Sequence, residues 1–313
     1  MSKHLFGLVV THHGTAANNR GETEGNITTL QKILWKGDVH TTVSAEAIRF
    51  AIRWYWQRRN GDEYLNRQWD DNILRHTWQD PEFKGGVQFI DDDLLGFMSA
   101  RAAAQEANEA EEAQRGSRTR ARGTVDRRRG RLEVSRAISL SPFAGDITFN
   151  AASSGATPSA SRTGVDPVPY GTEVHATRYQ YGFALTPEDL VDSKRALAVV
   201  DAILSLSEVA GNQSRFLFDF SPESVVFRWT DDFAPRMLYG FALNGDGSPA
   251  IPDVMHRISA GDINPAEMVI GGPITTAPGV AVLEDKGAFL SPGVKAAAEE
   301  VKRRMKETLQ IEE

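Results

Sequence analysis

Apolar and polar positions alternate along this chain in two distinct rhythms. Residues 4–10, HLFGLVV, form a short apolar run that ends in valines, the pattern of a buried strand. A long polar stretch follows, THHGTAANNRGETEGN, too rich in Gly, Asn and Thr to pack and long for a simple connection. The period then changes. Ile48, Ala51, Ile52 and Tyr55 fall at helical spacing behind Ser44, which suits the N-cap. Glu46 favours the positive end of that helix, Val43 and Ile48 form a candidate staple, and Asn60-Gly61 stops it.

The next segments are less regular. Residues 61–86 are polar, contain tryptophan and predict an insertion with short helices. VQFIDDDLLGFM, 87–98, predicts a strand bent around Asp91 to Asp93. Residues 100–114 have helical composition without an apolar face, and with the arginines that follow they predict an exposed arm. LEVSRAISLSPF, 132–143, returns to strand alternation, and 144–176 is a Gly-, Ser-, Thr- and Pro-rich projection.

TRYQYGFAL places Thr177, Tyr179, Tyr181, Phe183 and Leu185 on one strand face, which predicts core rather than an aromatic RNA platform. Thr186-Pro187-Glu188-Asp189 opens a helix expected to run to about Ala210, with Gly211 as its stop. Residues 215–220 and 224–229 read as paired strands, and VKAAAEEVKRRMKETL as a C-terminal helix. The order strand, helix, strand, strand, helix, strand predicts an α+β fold with a split β-α-β, ferredoxin-like or RNA-recognition-like core.

Composition narrows the chemistry. No cysteine occurs among the 313 residues, so disulfides, thiolate metal sites and cysteine nucleophiles are excluded. The apolar run at Leu5 to Val10 is too short for a signal core, and the chain is expected to be soluble and cytoplasmic. The net charge is −7, yet Arg115 to Arg131 carries eight arginines against Asp126 alone. That segment holds +7, leaving −14 for the rest, an asymmetry that marks either a polyanion contact or a solvated loop.

His12 and His13 are neighbours, so on a strand they face opposite ways and do not share one ion. Asp91, Asp92 and Asp93 are the candidate metal set for a ribonuclease, since clustered carboxylates hold Mg²⁺. No coherent catalytic set accompanies them, and the leading reading is a non-enzymatic protein without cofactor or metal. A stand-alone duplex-binding regulator would need a helix-turn-helix or zinc motif, and neither spacing is present.

Four segments in order resemble the repeated backbone subunit of type I CRISPR Cascade complexes, particularly the DevR-like branch of type I-B. They are HHGTAANNRGETEGN, VSAEAIRFAIR, DDDLLGFM, and EVSRAISLSPFAGDITF with YGTEVHATRYQYGFALTPEDL. The resemblance spans about 4–230. It implies a palm (1–60, 87–100, 132–143 and 177–313), a helical fingers insertion (61–86 and 101–131) and a β-hairpin thumb (144–176). It also implies binding to CRISPR guide RNA, stacking of copies in a helical filament, contact with other Cascade subunits, and target DNA reached through the guide heteroduplex.

On that reading the RNA contacts are His13, Asn18, Asn19, Arg20 and Gly21 in the first loop. Ser44, Arg49 and Arg53 follow on the first helix, then Phe97 and Met98 against bases, with Phe149 as a wedge at a displaced base. Ser44 has a complete alternative as an N-cap, and Phe149 as packing within its own hairpin. Arg118, Arg120, Arg122, Arg127, Arg128 and Arg129 are the candidate DNA or RNA contacts of a basic arm.

Overall fold

A computed structural model describes residues 2–17, 22–61, 64–83, 87–100, 125–151, 153, 155, 158–163, 169–210, 216–277 and 279–311. In chain order the first elements are β1 (His4–Thr11), β2 (Gly14–Ala16), β3 (Thr23–Glu24), β4 (Ile27–Thr28), β5 (Lys32–Trp35), β6 (Asp38–Val43) and α1 (Ala45–Asn60). Then come β7 (Arg67–Asp70), β8 (Arg75–Trp78), α2 (Ile90–Leu94), β9 (Phe97–Ala100), β10 (Val125–Arg128), β11 (Glu133–Val134), β12 (Ala137–Ser139) and β13 (Ile147–Asn150). After the short α3 (Pro158–Thr163) follow β14 (Tyr170–Glu173), β15 (His175–Thr177), β16 (Tyr179–Leu185), α4 (Arg195–Leu204) and β17 (Pro222–Thr230). The chain closes with β18 (Ala242–Leu243), β19 (Pro249–Ala250), α5 (Pro252–Ser259), β20 (Met268–Gly271), β21 (Phe289–Ser291) and α6 (Val294–Leu309).

The heart of the molecule is a sheet ordered β21-β20-β17-β1-β16-β12-β6-β5, with β11 also on β16. Its middle strands β17-β1-β16-β12 are antiparallel neighbours. With α1 before β12 and α4 before β17, this is the split β-α-β order expected from the sequence. Every residue of β1 is buried because the sheet is covered on both faces, which is why that strand reads as an unbroken apolar run. Leu5 and Val9 join a core with Ile48, Ile52, Tyr181, Phe183, Val199 and Val301 beneath the helices. Phe6, Leu8 and Val10 join a second core with Met237, Phe241, Val254, Ile258 and Ile270. The stretch from Met237 to Ile263 therefore covers the sheet face opposite α1, α4 and α6. Gly7 is a close-approach glycine, since a Cβ there would lie 2.0 Å from the Phe183 ring.

Five local expectations are corrected. Trp56, not Tyr55, is the buried end of the α1 face, because its longer indole reaches α4 and donates to the Ala198 carbonyl at 3.3 Å. The described part of 61–86 centres on the antiparallel hairpin β7–β8 rather than short helices. Residues 90–94 are a helix, not a bent strand.

The helix expected over 186–210 is broken in two. Asp93 takes the backbone N–H groups of Val191 and Asp192, and α4 starts only at Arg195 and ends at Leu204. Residues 216–220 pair with nothing in the sheet, because β17 already has β1 on one edge and β20 on the other. Phe218 instead meets Tyr179 edge-on and Phe220 stacks on Tyr181, with ring centroids 5.6 Å apart in each pair.

The projection is a small sheet of its own. β13 and β14 form an antiparallel hairpin, and β4 from the first polar loop adds to β14 in parallel. Lower down, β2 pairs with β15, so the first loop and the projection share one root.

Candidate nucleic-acid interface

The sequence places Arg49 and Arg53 one turn apart on α1, and the fold gives them a cleft. It encloses about 440 Å³ between α1, the β7–β8 hairpin and the β9–β10 hairpin. Arg49, Arg53, Arg67 and Arg128 line it, together with Glu46, Asp91, Asp92, Trp78, Phe97 and Met98. Gly96 permits the close approach of β9 to the strand behind it: its φ is +70°, and a Cβ would lie 2.4 Å from the Arg128 carbonyl.

The three aspartates organise this cleft. Asp91 Oδ1 accepts from the Asn66 N–H at 2.8 Å, while its Oδ2 accepts from the Arg67 N–H at 3.0 Å and Arg53 Nε at 3.3 Å. Asp92 accepts from Asn66 Nδ2 at 2.9 Å. Asp93 holds Arg128, Arg195 at 2.7 Å and the Val191 N–H at 3.1 Å. They are buried structural acceptors at the start of a helix, and among the described residues no cluster of three or more His, Cys, Asp or Glu is arranged to hold a metal ion.

Burial, reinforced by the charge of Arg53, lowers the pKa of both Arg49 and Arg67 below the ordinary arginine value. Asp91 on Arg53 and Asp93 on Arg128 offset part of the cost of crowding four guanidinium groups in one partly buried cleft. The Nε atoms of Arg67 and Arg128 are buried without a hydrogen-bond partner among the described residues. Burial and the neighbouring Asp91 raise Asp92 to about 7.

One wall is aromatic. Phe83 and Phe97 stack at 3.8 Å with a 7° interplanar angle, Trp78 meets Phe83 edge-on at 5.7 Å, and Arg67 lies 5.6 Å over Trp78. Phe97 thus has one ring face occupied by Phe83, whereas Met98 is exposed. Arg67, Trp78 and Phe83 do not stand out among the residues singled out by sequence pattern. A signal for them is present: RQWD and RHTW alternate on either side of Asp71-Asn72, a hairpin pattern.

No family model matches the chain. A curated protein of Myxococcus xanthus (strain DK1622), the CRISPR-associated protein Cas7/Cst2/DevR, is 50% identical over 313 residues, covering 97% of this chain and 98% of that protein.

The chain belongs to the Cas7/Cst2/DevR family.

Two solved chains share its fold. One, from a CRISPR RNA-guided surveillance complex, has a TM-score of 0.55 at 12% identity and covers 95% of this chain and 99% of its own. The other, from a pre-nicking CRISPR RNA-guided surveillance complex, has a TM-score of 0.54 at 12% identity and covers 96% and 99%.

The remaining expected contacts of this Cas7/Cst2/DevR protein fall in several places. Asn18, Asn19, Arg20 and Gly21 lie outside the described residues, as do Arg118, Arg120 and Arg122. His13 is exposed just past β1. Ser44 is buried and accepts from the Ala47 N–H at 3.2 Å, the N-cap bond expected of it. Arg49 donates to the Leu132 carbonyl at 3.4 Å and to the Leu95 carbonyl, which draws α1 against the strand that follows the basic segment.

Arg127 is exposed on β10. Arg128, expected on a solvated arm, is ion-paired to the buried Asp93, because β10 pairs with β9 and brings it back to the body, whereas Arg129 stays largely exposed and pairs with Glu133. Phe149 stands on β13, 77% exposed, with Ile147 two residues before it on the same strand. No described helix is long and apolar enough to cross a membrane.

Proposed function

We propose that this Cas7/Cst2/DevR protein is a CRISPR guide-RNA-binding backbone subunit that assembles in several copies along one guide and presents it to target DNA. The observation that carries this is identity at half of all positions over nearly the whole length of a Cas7/Cst2/DevR protein. The likeness in fold to chains of CRISPR RNA-guided surveillance complexes supports it.

A guide must be held by its phosphates and sugars, because its base edges have to remain free to read DNA. The arginine cleft suits that task. Arg53 and Arg67 offer guanidinium donors at the wall of α1 and the β7–β8 hairpin, and Met98 gives an apolar contact at the rim. The exposed Phe149 on the β13–β14 hairpin is the wedge at a displaced base, and Asn18 to Gly21, beside the root of that hairpin in sequence, complete the grip.

The central sheet is the palm, 61–86 and 101–131 the fingers and 144–176 the thumb. The protein is non-catalytic, acts in the cytoplasm and belongs to a type I-B complex. Asp91 to Asp93 shape the cleft rather than hold a catalytic metal.

The test is co-expression with a CRISPR array and partner subunits, followed by sequencing of the RNA that purifies with the complex. Discrete guide-length RNA with a regular nuclease footprint is expected. In R67Q the guide should be held less tightly, with a salt slope shallower by about one for each phosphate that Arg67 no longer neutralises. RNA of random length and sequence, or none, would overturn the reading.

A further inference from the structure

Phe233 lies just past β17 and is 84% exposed, beside one of the best-packed strands of the protein. The turn that carries it is firmly held. Asp232 accepts from the Ala234 N–H at 3.0 Å, from Arg228 at 3.1 Å and from Arg236 at 2.6 Å, while its own N–H donates to Thr230 Oγ1 at 3.0 Å. Arg228 is itself buried, anchored to Glu267 at 2.7 Å, and donates to the Ala234 carbonyl at 2.9 Å. Beneath Phe233, His4 meets its ring edge-on at 5.1 Å. The backbone that carries this ring is therefore held in place, with most of the ring open to solvent.

Beside it is a cleft of about 280 Å³, bordered by Arg129, Arg131, Leu185 at the end of β16, and the carboxylates of Glu133 and Asp189. Alternation running on from β10 turns Arg128 to the first cleft, and Arg129 and Arg131 to this one. Gly130 forms the partition, since a Cβ there would lie 3.2 Å from Arg49 Nη2. Arg131 has a buried Nε with no partner among the described residues, and its Nη1 pairs loosely with the exposed Asp189 at 3.5 Å. Arg129 pairs only with Glu133 among the described residues, and both side chains are largely exposed. Exposed pairs of this kind contribute little, so either guanidinium exchanges its carboxylate for a phosphate at small cost.

We propose that this cleft is a second contact for single-stranded nucleic acid, in which one base stacks on Phe233 and the adjoining phosphodiester is held by Arg129 and Arg131. A single strand is required, because a base within a duplex has no free face to offer an aromatic ring. The inference uses the guide-binding reading only for the assembly in which the strand is met. It extends the basic segment across both clefts, with Arg128 facing one strand path and Arg129 and Arg131 a second.

The experiment is photo-crosslinking in the assembled complex. One arm carries 5-iodouridine in the guide RNA, the other 5-iododeoxyuridine in a single-stranded target DNA. A crosslink mapped to the peptide containing Phe233 from either strand is expected, and it identifies the source. F233A should abolish that crosslink and lower affinity for the crosslinked strand roughly tenfold. R131Q should reduce the salt slope for the same strand by about one. Because Phe233 is exposed, the F233A complex should keep the parent's thermal midpoint. If the parent complex holds no guide, the backbone reading fails by itself, and the cleft is tested on the free chain with labelled oligo-U and oligo-dT. No crosslink at this peptide from either strand, with F233A affinity unchanged, would sink the proposal.

Discussion

Arg195 donates to Asp93 at 2.7 Å across 102 residues of chain. The same carboxylate takes Arg128 and two backbone N–H groups, so a single buried side chain ties α2, β10 and the start of α4 together. Removing it leaves two largely buried guanidinium groups without their carboxylate, with Arg195 still donating to the Val87 and Gln88 carbonyls. Asp93→Ala is therefore expected to destabilise the protein by about 3–5 kcal/mol, read as a lower urea midpoint. A change under about 1 kcal/mol would show that the clasp is not a stabilising unit.

Asp92 responds to pH in the opposite sense from most paired carboxylates. Its pKa is raised to about 7 by burial and by Asp91, above an ordinary value of 3.8. The folded state therefore keeps a proton that the unfolded chain has lost, and the stabilisation present below about pH 4 is lost as pH rises through about 7. Asp92→Asn should flatten that limb and be more stable than the parent at about pH 8, measured by thermal unfolding across about pH 4–8. An unchanged profile would remove Asp92 as its source.

His175, at the root of the projection, gives the acid limb. Its Nδ1 lies 2.7 Å from Thr41 Oγ1 and its Nε2 3.3 Å from Ser141 Oγ, and burial pushes its pKa down to about 4 from 6.5. The unfolded chain takes up a proton first as pH falls, so stability held above about pH 6.5 is lost toward pH 4. His175→Asn should shallow this loss. Direct titration of His175 by NMR near its ordinary value would contradict the assignment.

Ser44 has a defined structural task. Ser44→Ala removes the side-chain bond to the Ala47 N–H and is expected to cost about 1 kcal/mol in stability. Guide RNA per subunit should stay at the parent level. A fall in guide content without a fall in stability would assign Ser44 to phosphate contact instead.

Phe149 should behave in the reverse way. Because it is exposed, Phe149→Ala is expected to leave stability within about 0.5 kcal/mol. The regular nuclease footprint on the guide should blur, since nothing then wedges the displaced base. A footprint identical to the parent's would exclude Phe149 as the wedge.

Much of the frame was legible along the chain. The apolar run of β1, the alternation of Tyr179, Tyr181 and Phe183, and the periodic face of α1 each carry their environment in local spacing, because burial on one or both sides imposes a period on the residues themselves. The C-terminal helix, Val294–Leu309, coincides with its sequence-based range for the same reason. Arg49 and Arg53 were legible as a pair because helical periodicity alone sets them one turn apart.

Tertiary structure decided what those elements meet. Asp91 to Asp93 read as a bent strand or a metal set, yet their partners Arg53, Asn66, Arg128 and Arg195 lie on other elements, and only the fold brings them within hydrogen-bond reach. The break between Pro187–Asp189 and α4 has the same origin, since the competing acceptor is Asp93, far away in sequence. Phe218 and Phe220 form no strand because β17 has no edge left, a fact set by β1 and β20. Local pattern thus determined the strands, the helices and their buried faces. Long-range pairing of charges and competition for sheet edges, which leave no period in the sequence, determined the cleft.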